Sequence, residues 1–330
     1  MTGALWAVGS GLGFGLFQSL NRRALAGMDV ALSTFIQLLI SAIVLTFVSL
    51  LTEDVGLIAS APVGSLLAFG LVGLIHFFLG WTLLNLGQQL IGAARTGPLL
   101  ATTPLFGAVL AAIWLHEVPG LFTVAGMILT VTGVLVLSME REAIVESPVP
   151  PQGEAPSAER VGSHPGHGAG ASSSVATLTR SRRRAGLAAA LGTALCWALS
   201  PIFIREGLEG LPSPLLGVTV SMVASAVVFG VVLAARRRRL GDRIDSGSAL
   251  GFKVAAGLLV GLSTWMRWIA LDLTEVAVVL SVNSISVPTV LVLAPLVMGR
   301  HLERVTPRLW FGAGLVLAGS LVLILKGSGS

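Results

Sequence analysis

The sequence predicts an all-α membrane protein with ten transmembrane helices arranged as two inverted five-helix repeats. Three observations predict this fold: the composition, the number of long apolar segments and an internal duplication. Of the 330 residues, 54% are hydrophobic and only 11% are charged, whereas a soluble domain carries about 25% charged residues. The chain therefore lacks the polar surface that a water-soluble enzyme needs.

Ten apolar segments each approach the length of about 20 residues that a transmembrane helix requires. Between the fifth and the sixth segment, residues 139–185 are rich in proline, glycine, serine and charge. Because this composition buries little apolar surface, we predict a disordered cytoplasmic linker between one repeat at 1–138 and a second at 186–330. The segments are roughly 3–21, 31–51, 64–86, 94–115, 120–138, 186–204, 213–234, 249–271, 276–298 and 307–325.

An internal duplication relates the two halves. The stretch "AVGSGLGFGLFQSLNRRAL" at 7–25 aligns with "ALGTALCWALSPIFIREGL" at 190–208, and the offset stays between 183 and 186 along the half. Five spans are an odd number, so the second repeat enters the membrane from the opposite side, as in many secondary transporters. Later matched pairs are Trp81 with Trp265, Pro104 with Pro288, Glu117 with Glu303, Gly126 with Gly312 and Gly133 with Gly319.

Lysine and arginine residues concentrate on one side of the predicted bundle. That side includes the linker, residues 236–239 and Lys253, whereas the other carries Arg205, Lys326 and, near a helix end, Arg267. The positive-inside rule places the richer side in the cytoplasm. We therefore predict a multi-pass protein of the cell (plasma or inner) membrane with a cytoplasmic linker and both termini outside.

The fourth and fifth segments carry a family resemblance. They read "PLLATTPLFGAVLAAIWLHE" (98–117) and "GMILTVTGVLVL" (126–137), and a second copy reads "SVPTVLVLAPLVMGRHLE" (286–303) and "GAGLVLAGSLVLIL" (312–325). With the paired five-helix repeats, they resemble the EamA-type branch of the drug/metabolite transporter superfamily.

The resemblance implies a small-solute exporter or permease. Its central cavity would be lined by the first, third, fourth, sixth, eighth and ninth helices. The resemblance also places both termini in the cytoplasm, opposite to the charge count.

His76 lies near the centre of the third segment. Polar groups at membrane depth are costly and indicate functional sites. The imidazole could bind substrate or carry a coupled proton, because histidine titrates near neutral pH. The alternative is a neutral histidine that is hydrogen-bonded to a neighbouring helix.

Four residues predict aromatic and polar cavity walls. Trp81 and Trp265 share one repeat position, with Asn85 and Arg267 nearby. Aromatic planes with an amide or a guanidinium could form substrate walls and an anion clamp. The alternative for Trp265 and Arg267 is an interfacial aromatic belt with a snorkelling arginine.

Two proline-containing helices supply further candidates. In the fourth segment Thr102 and Thr103 precede Pro104. In the ninth segment Asn283 and Ser286 precede Pro288. A proline removes an amide donor and frees a carbonyl one turn back. Inside a bundle the freed carbonyl needs a partner. These side chains are therefore either solute contacts or partners of the freed carbonyls.

Four glycines of the first segment alternate along the sequence. Gly9 and Gly13 are four residues apart, as are Gly11 and Gly15, which is the small-xxx-small spacing that lets membrane helices approach closely. A nucleotide-binding loop would not recur as alanine and cysteine in a second membrane span. The repeat counterparts are all small residues, namely Gly192, Ala194, Cys196 and Ala198. We predict a helix-packing face.

Other polar residues are assigned structural roles. Gln18 and Gln37 lie near predicted cytoplasmic ends and are expected to be interfacial. Glu117 and Glu303 lie at helix ends, where we expect loop contacts.

No enzyme motif is present: the sequence lacks His-Glu-x-x-His, Gly-x-Ser-x-Gly and Walker patterns. We therefore expect no catalytic residue and no cofactor. We also expect no metal, since His164 and His167 of the linker are too few ligands for a firm metal site. We expect a small-molecule substrate and membrane lipid as partners, no nucleic acid, and a monomer or homodimer.

The predicted function is alternating-access transport of an amino-acid-like or other small organic solute, with export favoured. Two alternatives stay open. One is export of amphipathic drugs or lipid-linked sugars. The other is a non-transporting scaffold or receptor whose linker binds partners.

Overall fold

The structure is a computed structural model that describes residues 2–25, 30–100, 102–146, 169–236, 247–290, 293 and 307–326. All regular secondary structure in these ranges is helical, so the all-α class is confirmed. The boundaries of the individual helices differ from the predicted segments in two respects, the linker and the proline breaks.

In its described residues, the first half contains seven α-helices and one π-helix. The third predicted segment begins as α4, continues as a π-helix and ends within α5. The elements are α1 (Thr2–Leu25), α2 (Val30–Thr52), α3 (Gly56–Ser60), α4 (Val63–Val72), the π-helix Gly73–Gly80, α5 (Trp81–Leu100), α6 (Thr103–Trp114) and α7 (Leu121–Glu146).

Within the described residues, the second half contains five α-helices and a 3₁₀ turn. The elements are α8 (Ala169–Gly210), α9 (Pro214–Arg236), α10 (Gly247–Leu273), α11 (Val276–Val282), a 3₁₀ turn at Asn283–Ile285 and α12 (Pro307–Lys326). The apolar helix that contains α11 continues through this turn to Val290.

Helices extend into both ends of the predicted linker. α7 continues to Glu146, and α8 already begins at Ala169. Extending an existing helix adds one hydrogen bond for each residue fixed, without a new nucleation cost. The part of the predicted linker that lies outside these helices is therefore shorter than 139–185.

The prolines interrupt the fourth and ninth predicted segments. Thr102 forms a turn between α5 and α6, and Pro104 lies in the first turn of α6. Pro288 follows the 3₁₀ turn. Because proline lacks an amide hydrogen, it is tolerated where a helix starts but interrupts one already running.

Apolar helices identify a multi-pass membrane protein. Five helices among the described residues are long and apolar enough to cross a membrane, and four shorter apolar helices accompany them. α1 is in neither group, since its glycine and serine residues lower its hydropathy. The five are Val30–Thr52, Val63–Gly87, Ser181–Gly210, Pro214–Ala235 and Leu250–Leu273; the four are Thr103–Trp114, Leu121–Val136, Val276–Val290 and Trp310–Leu325.

The outer surface of the bundle is apolar. Phe47, Val109, Val227 and Val231 are among many large aliphatic and aromatic side chains that are exposed. Contiguous exposed apolar surface of this kind indicates contact with a membrane.

The two halves pack into each other rather than side by side. α1 packs on α10, α8 packs on α5 and the π-helix, α2 packs on α9, and α7 packs on α12. The main hydrophobic core accordingly mixes both halves, with Phe69 of α4 in a tilted ring contact with Trp268 of α10.

The four glycines of α1 divide into two contact pairs. Gly9 and Gly13 lie against side chains of α10, whereas Gly11 and Gly15 lie against the helix that contains the 3₁₀ turn. A Cβ atom added to Gly15 would lie 2.8 Å from the carbonyl oxygen of Ser286.

α7 and α12 bring their backbones into contact at two glycine positions. A Cβ atom added to Gly126 would lie 3.1 Å from the carbonyl oxygen of Gly319, and one added to Gly133 would lie 2.7 Å from that of Gly312. The contacts are reciprocal, because the sequence alignment pairs Gly126 with Gly312 and Gly133 with Gly319.

We predict that Gly133→Ala destabilises the protein by about 1–3 kcal/mol, because the new methyl group meets backbone atoms that cannot move independently. Gly314→Ala on α12 is the matched control, since no heavy atom lies within 4 Å of its Cβ position and alanine favours helix. Thermal unfolding in detergent should show a lower melting temperature for Gly133→Ala only. Equal melting temperatures would contradict the close approach.

Candidate functional site

Two small cavities lie within the bundle, with volumes of about 100 Å³ and about 20 Å³. Both are lined by Phe14, Trp197, Arg267 and Asn283. The larger cavity extends toward α6 and the 3₁₀ turn, and the smaller one extends toward the π-helix. Side chains from both halves therefore line the same space.

Six of the nine predicted substrate contacts line these cavities. All six helices named by the family resemblance contribute lining residues, and Val134 of α7 adds a further contact. The six predicted residues are His76, Trp81, Thr103, Arg267, Asn283 and Ser286.

The other three predicted contacts lie outside these two cavities. Asn85 Nδ2 donates a hydrogen bond to Thr34 Oγ1 of α2 at 2.5 Å. Thr102 Oγ1 donates to the carbonyl oxygen of Leu99 at 2.6 Å, an oxygen that also accepts the amide of Thr102 at 3.2 Å. Trp265 packs against the main core. Residues two apart on a helix do not share a face, which explains why Trp265 is separated from Arg267.

A chain of hydrogen bonds fixes the imidazole of His76. Arg267 Nη2 lies 2.8 Å from His76 Nε2, and His76 Nδ1 lies 2.9 Å from Ser200 Oγ. A guanidinium only donates, so Nε2 must accept, and a neutral imidazole then carries its proton on Nδ1. Ser200 Oγ receives that proton's hydrogen bond and itself donates to the carbonyl oxygen of Cys196 at 2.5 Å. The geometry favours the neutral, bonded histidine over a proton carrier.

Aromatic rings hold the imidazole plane in place. Trp197 stacks on His76 with ring centroids 5.6 Å apart, and Phe77 meets it edge-on at 4.8 Å. Phe14 contacts Trp197 at 5.8 Å in a T-shaped arrangement. Phe14 and Trp197 occupy matching positions of the two repeats in the sequence alignment.

The π-helix places His76 and makes room for Trp197. His76 lies in its middle, and Gly80 forms its end. A Cβ atom on Gly80 would lie 2.9 Å from Trp197 Nε1. Single-turn π-helical segments occur frequently at functional sites.

Sequence reasoning missed Trp197, Ser200 and Gln18 as site residues. Gln18 was expected to be interfacial, but it lines the larger cavity. Trp197 aligns with Phe14 in the repeat, and that pairing was the available signal. Ser200 carried none, since an isolated serine in an apolar helix usually bonds its own backbone.

Arg267 is buried, with 9% of its surface exposed, which does not fit the snorkelling alternative. Its Nε has no hydrogen-bond partner, and neither has Thr103 Oγ1. No aspartate or glutamate of the part of the chain that the structure describes lines either cavity.

A second buried polar cluster consists of Lys253, Asn21 and Gln37. The sequence analysis placed Lys253 on the cytoplasmic side and expected Gln37 to be interfacial. Lys253 is fully buried, and its ammonium donates hydrogen bonds to Asn21 Oδ1 and to Gln37 Oε1, the latter at 2.9 Å. Gln37 is also buried rather than interfacial. In the sequence, a single lysine at the start of an apolar segment looks the same as a charged residue of the preceding loop. Only the packing of α10 on α1 and α2 therefore reveals the cluster.

A third polar cluster connects α8 to the loop after α6 and to the junction of α10 and α11. Glu117 Oε1 lies 3.0 Å from Arg205 Nη2, and Glu117 Oε2 accepts a hydrogen bond from the amide of Val276 at 3.0 Å. Arg205 Nη2 also donates to the carbonyl oxygen of Thr274. The predicted loop contact of Glu117 is confirmed, whereas Glu303 lies outside the described residues.

No group of three or more histidine, cysteine, aspartate or glutamate residues in the described ranges could hold a metal ion. His164 and His167 lie outside those ranges.

The sequence profile of the EamA-like transporter family matches residues 1–139 and 184–325. The chain belongs to the EamA-like transporter family. It is therefore a membrane transporter of the drug/metabolite type, a family of non-enzymatic permeases. The structure of this EamA-like transporter resembles a solved structure described as "Crystal structure of protein", with a TM-score of 0.70 and 16% identity over 99% of this chain and 97% of the other. At that identity the likeness concerns the fold alone. No curated protein matches the chain.

We predict that Lys253→Met destabilises this EamA-like transporter by about 1–3 kcal/mol, since it leaves the side-chain oxygens of Asn21 and Gln37 buried without a donor. The triple change Lys253→Met, Asn21→Leu and Gln37→Leu should recover part of that loss, because no unpaired polar group then remains. Thermal unfolding in detergent measures both. An unchanged melting temperature for Lys253→Met would mean that the ammonium is solvated.

Proposed function

We propose that this chain is a secondary transporter that moves a small organic solute across the cell membrane by alternating access between two inverted five-helix repeats. The observation that carries the proposal is the polar cavity itself. An apolar bundle has no structural need for an arginine, a histidine and an asparagine around an internal space, and such groups at membrane depth mark solute pathways.

Three observations support the inverted repeat. The family profile matches two separate ranges of similar length. The glycine contacts of α7 and α12 are reciprocal, as they are at an interface of two-fold symmetry, where residue i contacts j and j contacts i. The contact between Phe14 and Trp197 places matching positions of both repeats beside the cavities. We therefore include α1 among ten spans.

Two polar ties flank the cavity and support alternating access. Lys253 near the start of α10 binds α1 and α2 of the first half, and Thr274 after its end belongs to the cluster of Arg205 and Glu117. About 20 residues of helix separate the two ties, which corresponds to about 30 Å. Each tie joins one half to the other, so we propose that they open in turn on opposite sides of the membrane.

The cavity size favours a small metabolite. A volume of about 100 Å³ is below the range of about 300–1,000 Å³ of drug-sized pockets. Amphipathic drugs and lipid-linked sugars would need a larger space. We propose export because the family resemblance favours it, with the linker in the cytoplasm.

His76 acts as a positioning residue in this proposal. Both ring nitrogens are already engaged, one with Arg267 and one with Ser200. Proton coupling would require breaking the contact with Arg267, because a protonated Nε2 cannot accept a hydrogen bond.

Comparison of metabolite efflux between cells with and without the protein tests the proposal. We expect at least one small solute to accumulate outside cells that carry the protein, and to do so still after deletion of residues 147–168. If the amount of every solute outside the cells is the same with and without the protein, the proposed transport is wrong. If the deletion abolishes efflux while the protein remains in the membrane, the scaffold alternative is favoured.

We predict that Glu117→Gln opens the cavity toward the side of Glu117. Cys196 is the one cysteine of the chain, so Cys196→Ala gives a background in which Thr264→Cys reports access to the smaller cavity. Glu117→Gln should speed labelling by a membrane-impermeant thiol reagent from that side. Glu206→Gln, an exposed neighbour, is the matched control. Equal rates in both variants would remove this tie from the proposed cycle.

A further inference from the structure

We infer that the central cavity binds its solute through a carboxylate, with Arg267 as the counter-ion and an apolar wall against the rest of the solute. This inference rests on the proposed transport function and adds the chemical class of the substrate to it.

The charge of Arg267 is the first support. Among the described residues it is the only ionic side chain that lines the two cavities, and its described hydrogen bond goes to an uncharged partner, His76. No carboxylate within the described ranges pairs with it, since the salt bridge described there joins Arg205 and Glu117 at the loops. Burial of an uncompensated ion is unfavourable, so a bound anion would stabilise the site.

The unpaired polar atoms are the second support. Arg267 Nε, more than nine-tenths buried, can only donate, and Thr103 Oγ1 in the same cavity wall is also without a partner. Asn283 Oδ1 already accepts a hydrogen bond from Ser10 Oγ at 3.0 Å, which leaves its amide nitrogen as a donor. These three groups can each donate a hydrogen bond, so they fit a ligand that accepts hydrogen bonds.

The fixed orientation of the guanidinium is the third support. His76 accepts a hydrogen bond from Arg267 Nη2. The imidazole ring is itself fixed by a hydrogen bond to Ser200 and by stacking on Trp197. A guanidinium fixed in its plane presents parallel N–H groups that match the two oxygens of a carboxylate.

The match in charge and shape favours a carboxylate over a phosphate. A phosphate monoester carries about −1.5 to −2 charges at neutral pH, so one arginine would leave excess negative charge buried. Beside Arg267 the larger cavity is walled by Phe14, Trp197, Leu280 and Val287. The solute is therefore a monocarboxylate with an apolar portion.

Binding to the detergent-solubilised full chain tests the inference with matched probes. Phenylacetate and butyrate are compared with phenylacetamide and butyramide, which have nearly the same shape without the charge, and with inorganic phosphate. We expect the carboxylates to raise the melting temperature and to quench tryptophan fluorescence, and the amides and phosphate to do neither.

Arg267→Gln should weaken carboxylate binding at least about tenfold, which is the loss expected for a charge-assisted hydrogen bond. Arg267→Lys keeps the charge without the fork and should bind with intermediate affinity. Thr103→Val leaves Arg267 in place and should weaken binding about threefold to tenfold. Arg182→Gln, an exposed arginine of α8, is the matched control. The melting temperature without ligand shows that each variant is folded.

Equal binding of amides and carboxylates, stronger binding of phosphate, or unchanged affinity in Arg267→Gln would each overturn the inference. Failure of the proposed function gives a different result. If carboxylates bind through Arg267 but no solute crosses proteoliposomes, the inference stands and transport is wrong. If a neutral solute crosses with Arg267→Gln as fast as with the native chain, transport stands and the inference is wrong.

Discussion

Arg267 brings a positive charge into a bundle whose outer surface is apolar, and no carboxylate of the described chain compensates it. The structure around it follows from that cost. His76 accepts one of its hydrogen bonds, Ser200 then fixes the tautomer of His76, and Trp197 covers the ring. The π-helix sets the position of His76, and Gly80 at its end leaves space for the indole. The site is a supported guanidinium rather than a set of independent polar residues.

Close packing between helices of opposite halves makes such a site possible. Where α7 meets α12 and where α1 meets α10 and the broken helix, glycines bring backbones within contact distance. Membrane helices lack a hydrophobic driving force for association, so small residues at the interface supply the packing energy.

Polar ties at the two ends complement these interfaces. Lys253 and Glu117 each join the first half to the second, one near each end of α10. The free energy needed to break the two ties differs. Lys253 is a buried ammonium with two amide-carbonyl partners, whereas the ion pair of Arg205 and Glu117 is partly solvated. The two ends of the bundle are therefore not energetically equivalent, although the repeats are related in sequence.

The sequence by itself determined the class of protein. Apolar runs set by the thickness of the bilayer, the paired motifs and the glycine spacing pointed to the all-helical membrane fold and its family. Polar residues at membrane depth indicated His76, Arg267 and Asn283 as cavity residues, since such residues are rare and costly there. The tertiary structure alone decided which polar groups meet. It separated Trp265 from Arg267 on α10, and it buried Lys253 between the three helices α1, α2 and α10. No local sequence pattern records these contacts, because contacts between distant segments depend on how the helices rotate and pack.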